Sequence, residues 1–330
     1  MSDPVAERVT EHRSREPGRG RDADKPTDIP AAGWKDIAYR VWDEIGNDRV
    51  GTIAAGTTFF LLLALFPAIA ALVSIYGLVS DPATIQDHLS DLSGYVPGEM
   101  LSLIGDQMKR VSAQENQTLG LSFVVSLLIA LYSANNGVKS LFDALNVAYD
   151  EEEKRSFIQL NGRALAFTLG AIVFLVLVVN VVIGVPIILN FLNLGAVGEL
   201  LVTVLPAVVL FAVATFGIAL LYRYGPSRSA AKWHWITPGS LAAAIVWLLA
   251  SAAFSYYLSN FGDYSATYGS LGAAIGAMMW IYISMWIVLV GAELNSEIEH
   301  QTAKDTTTGP EKPLGQRGAT MADRVGPARA

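Results

Sequence analysis

Ten polar or basic residues stand at the ends of apolar segments, where their side chains meet the edge of a membrane. They are Asn135, Asn136, Lys139, Asn146, Tyr149, Arg163, Tyr222, Arg223, Glu293 and Asn295. A rim of basic and amide groups between helices can hold a lipid head group. The alternative is that each residue only anchors a helix end on the basic side of the membrane. We call this set the polar rim.

The sequence contains no pattern typical of a catalytic or metal site. Its four histidines are scattered, and no H-x-H-x-D, H-E-x-x-H or paired-carboxylate signature is present. The absence of cysteine excludes a thiolate metal site and a disulfide. We interpret His234 as an interfacial residue in an aromatic belt and the acidic run 150–153 as a solvated turn. We therefore expect no catalytic residue, no metal, no cofactor and no enzymatic activity.

Long apolar segments must position these residues. The chain has 330 residues, of which 52% are hydrophobic and 16% charged, whereas a soluble domain carries about 25% charged residues. Six apolar segments are predicted to span the membrane: about 53–78, 119–134, 164–192, 200–222, 236–258 and 269–292. They contain no Asp, Glu, Lys, Arg or His, which argues against a proton-coupled pump with carboxylates at mid-membrane.

The last of these segments has one face that is nearly bare backbone. Glycines recur along it at multiples of three, four and seven, at Gly269, Gly272, Gly276 and Gly291. Such spacing lets another helix approach closely in lipid, so we place this helix at the centre of the bundle. The residues that precede this segment are polar and aromatic. We assign Asp263, Tyr264 and Tyr268 to the side of the membrane opposite the termini.

The predicted fold is all-α, a polytopic membrane protein with a bundle of six transmembrane helices and amphipathic interfacial helices. The membrane domain covers 34–298 and begins with an amphipathic helix over 34–50, whose charged residues lie off the apolar side. The flanking segments 1–33 and 299–330 are predicted to be disordered cytoplasmic tails. The polar, acidic segment 81–117 is predicted to form short surface helices.

The distribution of charge predicts the orientation of the chain. Lys and Arg near the span ends fall on the side of the termini, and only Lys109 and Arg110 fall on the opposite side. By the positive-inside rule we expect both termini to be cytoplasmic. The net charge of −7 provides no general basic surface for nucleic acid, so we expect no nucleic-acid partner.

Four stretches carry a resemblance to a known family. They are AAGTTFFLLLALFPAIAAL in the first span, YSANNGVKSLFDALNVAYDEEEKRSF after the second, YRYGPSRSAAKWHWITPGSLAAAIVWLLA before the fifth, and YLSNFGDYSATYGSLGAAI with LVGAELNSEIE around the last. Over about 34–298 the chain resembles the YihY/virulence-factor BrkB family. The resemblance implies a six-span inner-membrane protein. The family was once labelled ribonuclease BN, and its association with serum resistance and envelope lipid traffic implies lipid transport.

Three functions remain open at this stage. The leading hypothesis is a protein that transports or handles phospholipid or another envelope amphiphile, with membrane lipids as its partners. The second is a structural protein that binds an envelope protein through 81–117. The third, a membrane nuclease, has no metal-ligand cluster in the sequence to support it.

Overall fold

The computed structural model of this chain describes residues 10–77, 101, 105, 121–191, 195–261 and 272–329. Eight α-helices are defined in these ranges: α1 Ala31–Asn47, α2 Val50–Gly77, α3 Leu121–Ala148, α4 Phe157–Phe191, α5 Gly195–Tyr224, α6 Trp233–Phe261, α7 Gly272–Glu299 and α8 Thr320–Asp323. Within the described ranges, the only β-type pairing is an isolated antiparallel bridge between Ala231 and Thr307. The all-α class is therefore as predicted.

Helices α2 to α7 contain 28 to 35 residues each, and each covers most of one predicted span. Four have apolar stretches long enough to cross a bilayer: Phe157–Phe174, Val204–Tyr224, Trp233–Leu258 and Ala274–Glu299. Helix α2 has a shorter one, Val50–Ala64, among the residues described. A polytopic helical membrane protein fits these lengths, and six crossings remain a prediction.

Helix α7 lies at the centre of the packing. It contacts α1, α2, α3, α6 and α8, while α4 contacts α3 and α5. The main core lies where α3, α5, α6 and α7 converge, around Leu145, Tyr222, Ile236 and Leu289. Large apolar side chains elsewhere face outward on α3, α4 and α5, as expected for surfaces that contact lipid tails.

The glycine face of α7 allows a close crossing with α6. A Cβ atom at Gly291 would lie 2.7 Å from the Cβ of Ala243 and would also collide with the hydroxyl of Tyr222. A Cβ at Gly239 on α6 would collide with the carbonyl oxygen of Gly291. Gly272 and Gly276 are buried on the same helix, and Gly269 lies outside the described residues.

Helix α1 packs on the end of α7 through a face that includes charged residues. Its buried residues are Gly33, Asp36, Ile37 and Arg40, and Ile37 clusters with Trp235 and Ile298. The expectation that Asp36 and Arg40 lie off the buried side was therefore wrong. Both are buried because each has an oppositely charged partner, Arg19 for Asp36 and Glu297 for Arg40.

The expectation of disordered tails was also wrong for the described residues. Segments 10–30 and 300–329 pack together over the end of the bundle, and we call them the terminal clasp. The carbonyl oxygen of Arg21 accepts a hydrogen bond from the N–H of Ala303 at 2.8 Å, and that of His300 accepts one from Gly326 at 2.8 Å. Arg21 itself is 2% exposed. Its buried guanidinium binds the carboxylate of Glu16 at 2.6 Å, so part of the mixed charge of this segment is paired and shielded from solvent.

Both terminal segments therefore lie at the same end of the bundle, which we call the clasp end. The segment 81–117, which the second hypothesis makes a surface for an envelope partner, lies outside the described residues except for Leu101 and Gly105. Asp263, Tyr264 and Tyr268 lie outside them as well.

Candidate functional site at the clasp end

The polar rim does not form one site in the structure. Its residues fall at the clasp end, as the C-terminal parts of α3, α5 and α7 and the N-terminal part of α4 require. They separate into a group between α3 and α4, a group that holds backbone in place, and a buried group around Glu293. Asn136 is half-buried and Arg163 is exposed.

The first group joins α3 to α4 through one amide oxygen. The Nδ2 of Asn135 and the Nζ of Lys139 each donate to Oδ1 of Asn161 at 3.0 Å. Asn161 in turn donates to the carbonyl oxygen of Phe157 at 2.8 Å. Asn135 is 7% exposed, and its Oδ1 has no hydrogen-bond partner within the described ranges. We call Asn135, Lys139 and Asn161 the seam patch.

Apolar side chains surround the seam patch on the outside of the bundle. Phe157 and Ile158, in the first turn of α4, are 78% and 82% exposed. Leu128, Ile129 and Tyr132 on α3 are also exposed. An ammonium group next to outward-facing apolar residues is the arrangement found at the boundary between lipid tails and head groups.

The side chains of the second group use their polar atoms to bind the protein's own backbone or an aromatic ring. Asn295 donates to the carbonyl oxygen of Ile236 at 2.9 Å and accepts from the N–H of Gly239 at 2.7 Å. The hydroxyl of Tyr222 donates to the carbonyl oxygen of Val288 at 2.6 Å. Arg223 stacks on Trp233, with 4.6 Å between the guanidinium carbon and the ring centre. These three residues hold helices together and offer little to a ligand.

Asn146 ties the acidic run to the loop after α5. Its Oδ1 accepts from the N–H of Ser227 at 2.7 Å, and its Nδ2 donates to Glu153 at 3.2 Å. Burial disfavours the charged form of Glu153, but hydrogen bonds from Arg155 and Asn146 outweigh it and lower the pKa to about 2. Glu151 is buried and accepts from the N–H of Thr320 at 2.6 Å. The run is therefore not a simple solvated turn.

The third group contains a buried carboxyl pair. Glu293 is 1% exposed, and neither of its carboxyl oxygens has a hydrogen-bond donor in the part of the chain described. The carboxyl of Asp48, between α1 and α2, lies within hydrogen-bonding reach of it. Burial raises the pKa of Asp48 to about 6, and the charges of Asp150 and Glu44 act in the same direction. The hydroxyl of Tyr149 is also buried without a hydrogen-bond partner among these residues.

Sequence reasoning identified Glu293 but missed Asp48 and Asn161. Glu293 interrupts an apolar helix, which is a visible signal. Asp48 lies in a polar stretch, and nothing local marks it as the partner of a residue so distant in sequence. Asn161 precedes the predicted start of the third span and was not assigned to the rim.

Buried ion pairs join α1, and the loop after α5, to the end of α7. Arg40 and Glu297 are 3% and 1% exposed in their side chains and bind each other directly. Arg228 binds Glu299 at 2.6 Å, and the hydroxyl of Thr306 donates to the same carboxylate at 2.7 Å. In the described ranges, no group of three or more His, Asp or Glu side chains is arranged to hold a metal ion.

Long apolar helices, lipid-facing apolar surfaces and polar clusters gathered at one end define a polytopic membrane protein. The profile of the family described as virulence factor BrkB matches residues 41–315. The chain belongs to the virulence factor BrkB family. The N-terminal part of the clasp and its last residues, from 316 onward, lie outside the matched region.

Curated relatives cover most of the chain. A ribonuclease-like protein, YfkH, of Bacillus subtilis is 32% identical over 248 residues, which are 74% of this chain and 88% of the relative. Two proteins named UPF0761 membrane protein, from Aeromonas salmonicida and Pseudoalteromonas translucida, are each 26% identical, over 78% and 79% of this chain and 87% and 85% of theirs. No solved structure matches the chain.

Proposed function

We propose that this protein binds phospholipid and moves or presents it at the cytoplasmic membrane, with the seam patch as the head-group site. In this proposal the clasp end faces the cytoplasm and the protein has no enzymatic activity. The observation that carries it is the pairing of Lys139 and Asn135 on one amide oxygen, beside exposed apolar side chains of α3 and α4.

The chemistry of the seam patch suits a phospholipid. An ammonium has three N–H donors, and the bond from Lys139 to Asn161 uses one of them. The other two can be donated to phosphate oxygens. The unpartnered Oδ1 of Asn135 can accept a hydrogen bond from a hydroxyl or ammonium of the head group. Leu128 and Ile129, which lie farther from the clasp end than Asn135 on α3, are exposed and can contact the acyl chains.

Replacing Lys139 with alanine tests the proposal. A hydrogen bond to a charged group contributes about 1.5–3 kcal/mol, and Lys139 is half-buried, so we expect a loss at the lower end, about tenfold in affinity. Native mass spectrometry of the full chain with added phosphatidylglycerol and phosphatidylethanolamine measures this affinity. A flip assay with labelled phospholipid in proteoliposomes measures lipid movement in the same variants.

Arg163→Ala is the matched control, because Arg163 is an exposed basic residue on the same helix as Asn161. Lys139→Arg keeps the charge and is expected to retain most of the binding. If basic residues serve only as anchors, Lys139→Ala and Arg163→Ala will weaken lipid binding equally. Equal losses, or purification of wild-type protein without any bound phospholipid, would refute the proposal.

A further inference from the structure

Glu293 is a fully buried acid whose carboxyl group has no donor. It lies in the last two turns of α7 and is 1% exposed. Neither Oε1 nor Oε2 accepts a hydrogen bond from any described residue. A buried polar atom without a partner carries the full cost of its lost hydration, and a buried unpaired charge costs much more. The ionised form of this side chain is therefore strongly disfavoured where it lies.

The backbone between α1 and α2 holds Asp48 against Glu293. The N–H of Asp48 donates to the carbonyl oxygen of Glu44 at 2.9 Å, which fixes the end of α1. Arg49 follows with a φ of 50°, and its carbonyl oxygen accepts from the N–H of Thr52 at 2.8 Å to begin α2. This tight connection fixes the backbone position of Asp48 between the two helices.

The charges around this pair are mostly negative. Glu44 acts on it from α1, Asp150 from the turn after α3 and Glu297 from the next turn of α7. Among the basic groups at this end, Arg40 pairs with Glu297, His300 faces the same carboxylate at 3.4 Å, and Arg49, which follows Asp48, is exposed. Tyr149, which follows α3, interacts with Glu293, and its hydroxyl is buried without a hydrogen-bond partner among the described residues. Two ionised carboxylates in these surroundings would have neither counter-charge nor hydrogen bond.

We propose that Glu293 and Asp48 form a proton-binding site, in which one proton lies between their two carboxyl groups at neutral pH. The proton removes one of the two negative charges and supplies the hydrogen bond that Glu293 lacks. Asp48, the more accessible partner, takes up a second proton as the pH falls through its raised pKa of about 6. The two steps belong to the pair, since its members are in direct contact.

This site goes beyond phospholipid binding and does not depend on it. The absence of Asp and Glu from the predicted spans argued against a proton-coupled pump with carboxylates at mid-membrane. The buried acids of the structure lie at the clasp end instead. The seam patch and the carboxyl pair share no residue, so a variant of one leaves the other intact.

Infrared difference spectroscopy of the full chain in lipid nanodiscs tests the proposal. The wild type is expected to show the C=O band of a protonated carboxyl at pH 7, and this band should shift when H2O is replaced by D2O. We expect Glu293→Gln to abolish the band and Glu152→Gln, at an exposed acid of the same end, to retain it. In Asp48→Asn the band should remain at pH 7, at a changed frequency, and its increase below pH 6 should be lost.

Three outcomes would overturn the proposal. The first is that the wild type shows no protonated carboxyl band at pH 7. The second is that the band persists in Glu293→Gln. The third is that sodium chloride, added at constant pH, removes the band while choline chloride does not. The last result would mean that a sodium ion occupies the pair. The wild-type isotope shift and the Asp48→Asn spectrum keep the test decisive even if Glu293→Gln does not fold.

Discussion

Arg40 is the residue whose loss should most weaken the attachment of the clasp to the bundle. Its guanidinium binds the carboxylate of Glu297, the carbonyl oxygen of Glu297 at 3.1 Å, Oε1 of Gln301 at 2.8 Å and the carbonyl oxygen of Pro327 at 3.1 Å. It thereby joins α1, α7 and the C-terminal segment. Arg40→Met keeps much of the side-chain length and removes all four interactions.

The expected loss in unfolding free energy comes from Glu297, which stays buried without its partner after the substitution. Glu297 is 1% exposed, and removal of one partner from a buried ion pair typically costs about 3–5 kcal/mol, because the other charge stays buried. His300, at 3.4 Å from Glu297, supplies partial compensation when protonated. We therefore expect a loss of about 3 kcal/mol in the free energy of unfolding. The double variant Arg40→Met/Glu297→Met should regain most of it, since neither charge is then buried.

Equilibrium unfolding in mixed micelles with increasing dodecyl sulfate, followed by tryptophan fluorescence, measures these differences. Arg15→Met is the control, because Arg15 pairs with Glu11 at 2.6 Å but both side chains are mostly exposed, and such pairs contribute less than about 1 kcal/mol. Equal losses in Arg40→Met and Arg15→Met, or a double variant less stable than Arg40→Met, would refute the reasoning.

Two further predictions concern packing and pH. Gly291→Val should destabilise the bundle by about 1–3 kcal/mol, because its side chain meets Ala243 and Tyr222; Gly162→Ala, which meets nothing within 4 Å, should be neutral or stabilising in the same unfolding assay. The raised pKa of Asp48 means that the folded state binds its proton more tightly than the unfolded state. Its contribution to stability is therefore complete below about pH 4 and is lost as the pH rises through about 6. The full shift corresponds to about 3 kcal/mol, which screening at this partly exposed site reduces to about 1–2 kcal/mol. The difference in unfolding free energy between wild type and Asp48→Asn should follow this window, and a difference that does not vary with pH would contradict it.

The positions of the helices could be predicted from the sequence because apolar run length and glycine spacing are properties of a single stretch of chain. Apolar runs of sufficient length place α2 to α7, and the spacing of Gly272, Gly276 and Gly291 marks the face by which α7 packs. Each of these properties is contained in one stretch of chain, so it can be read without knowledge of what lies opposite.

The clasp could not be predicted in the same way. Mixed charge with little apolar content is typical of a disordered tail, and whether such charges pair depends on groups far away in sequence. Arg21 donates to the carbonyl oxygen of Gln301, 280 residues later. The same limit applies to the polar rim: Asn295 and Tyr222 looked available for a ligand, but their hydrogen bonds are used on α6 and α7.

The separation of Arg40 and Glu297 also has a consequence for biogenesis. The two residues are 257 positions apart, so at about 5–20 residues per second the ribosome needs roughly 10–50 seconds to supply the second after the first. Throughout that interval Arg40 lacks its buried partner, and the ion pair forms only after the C-terminal end of α7 has been synthesised.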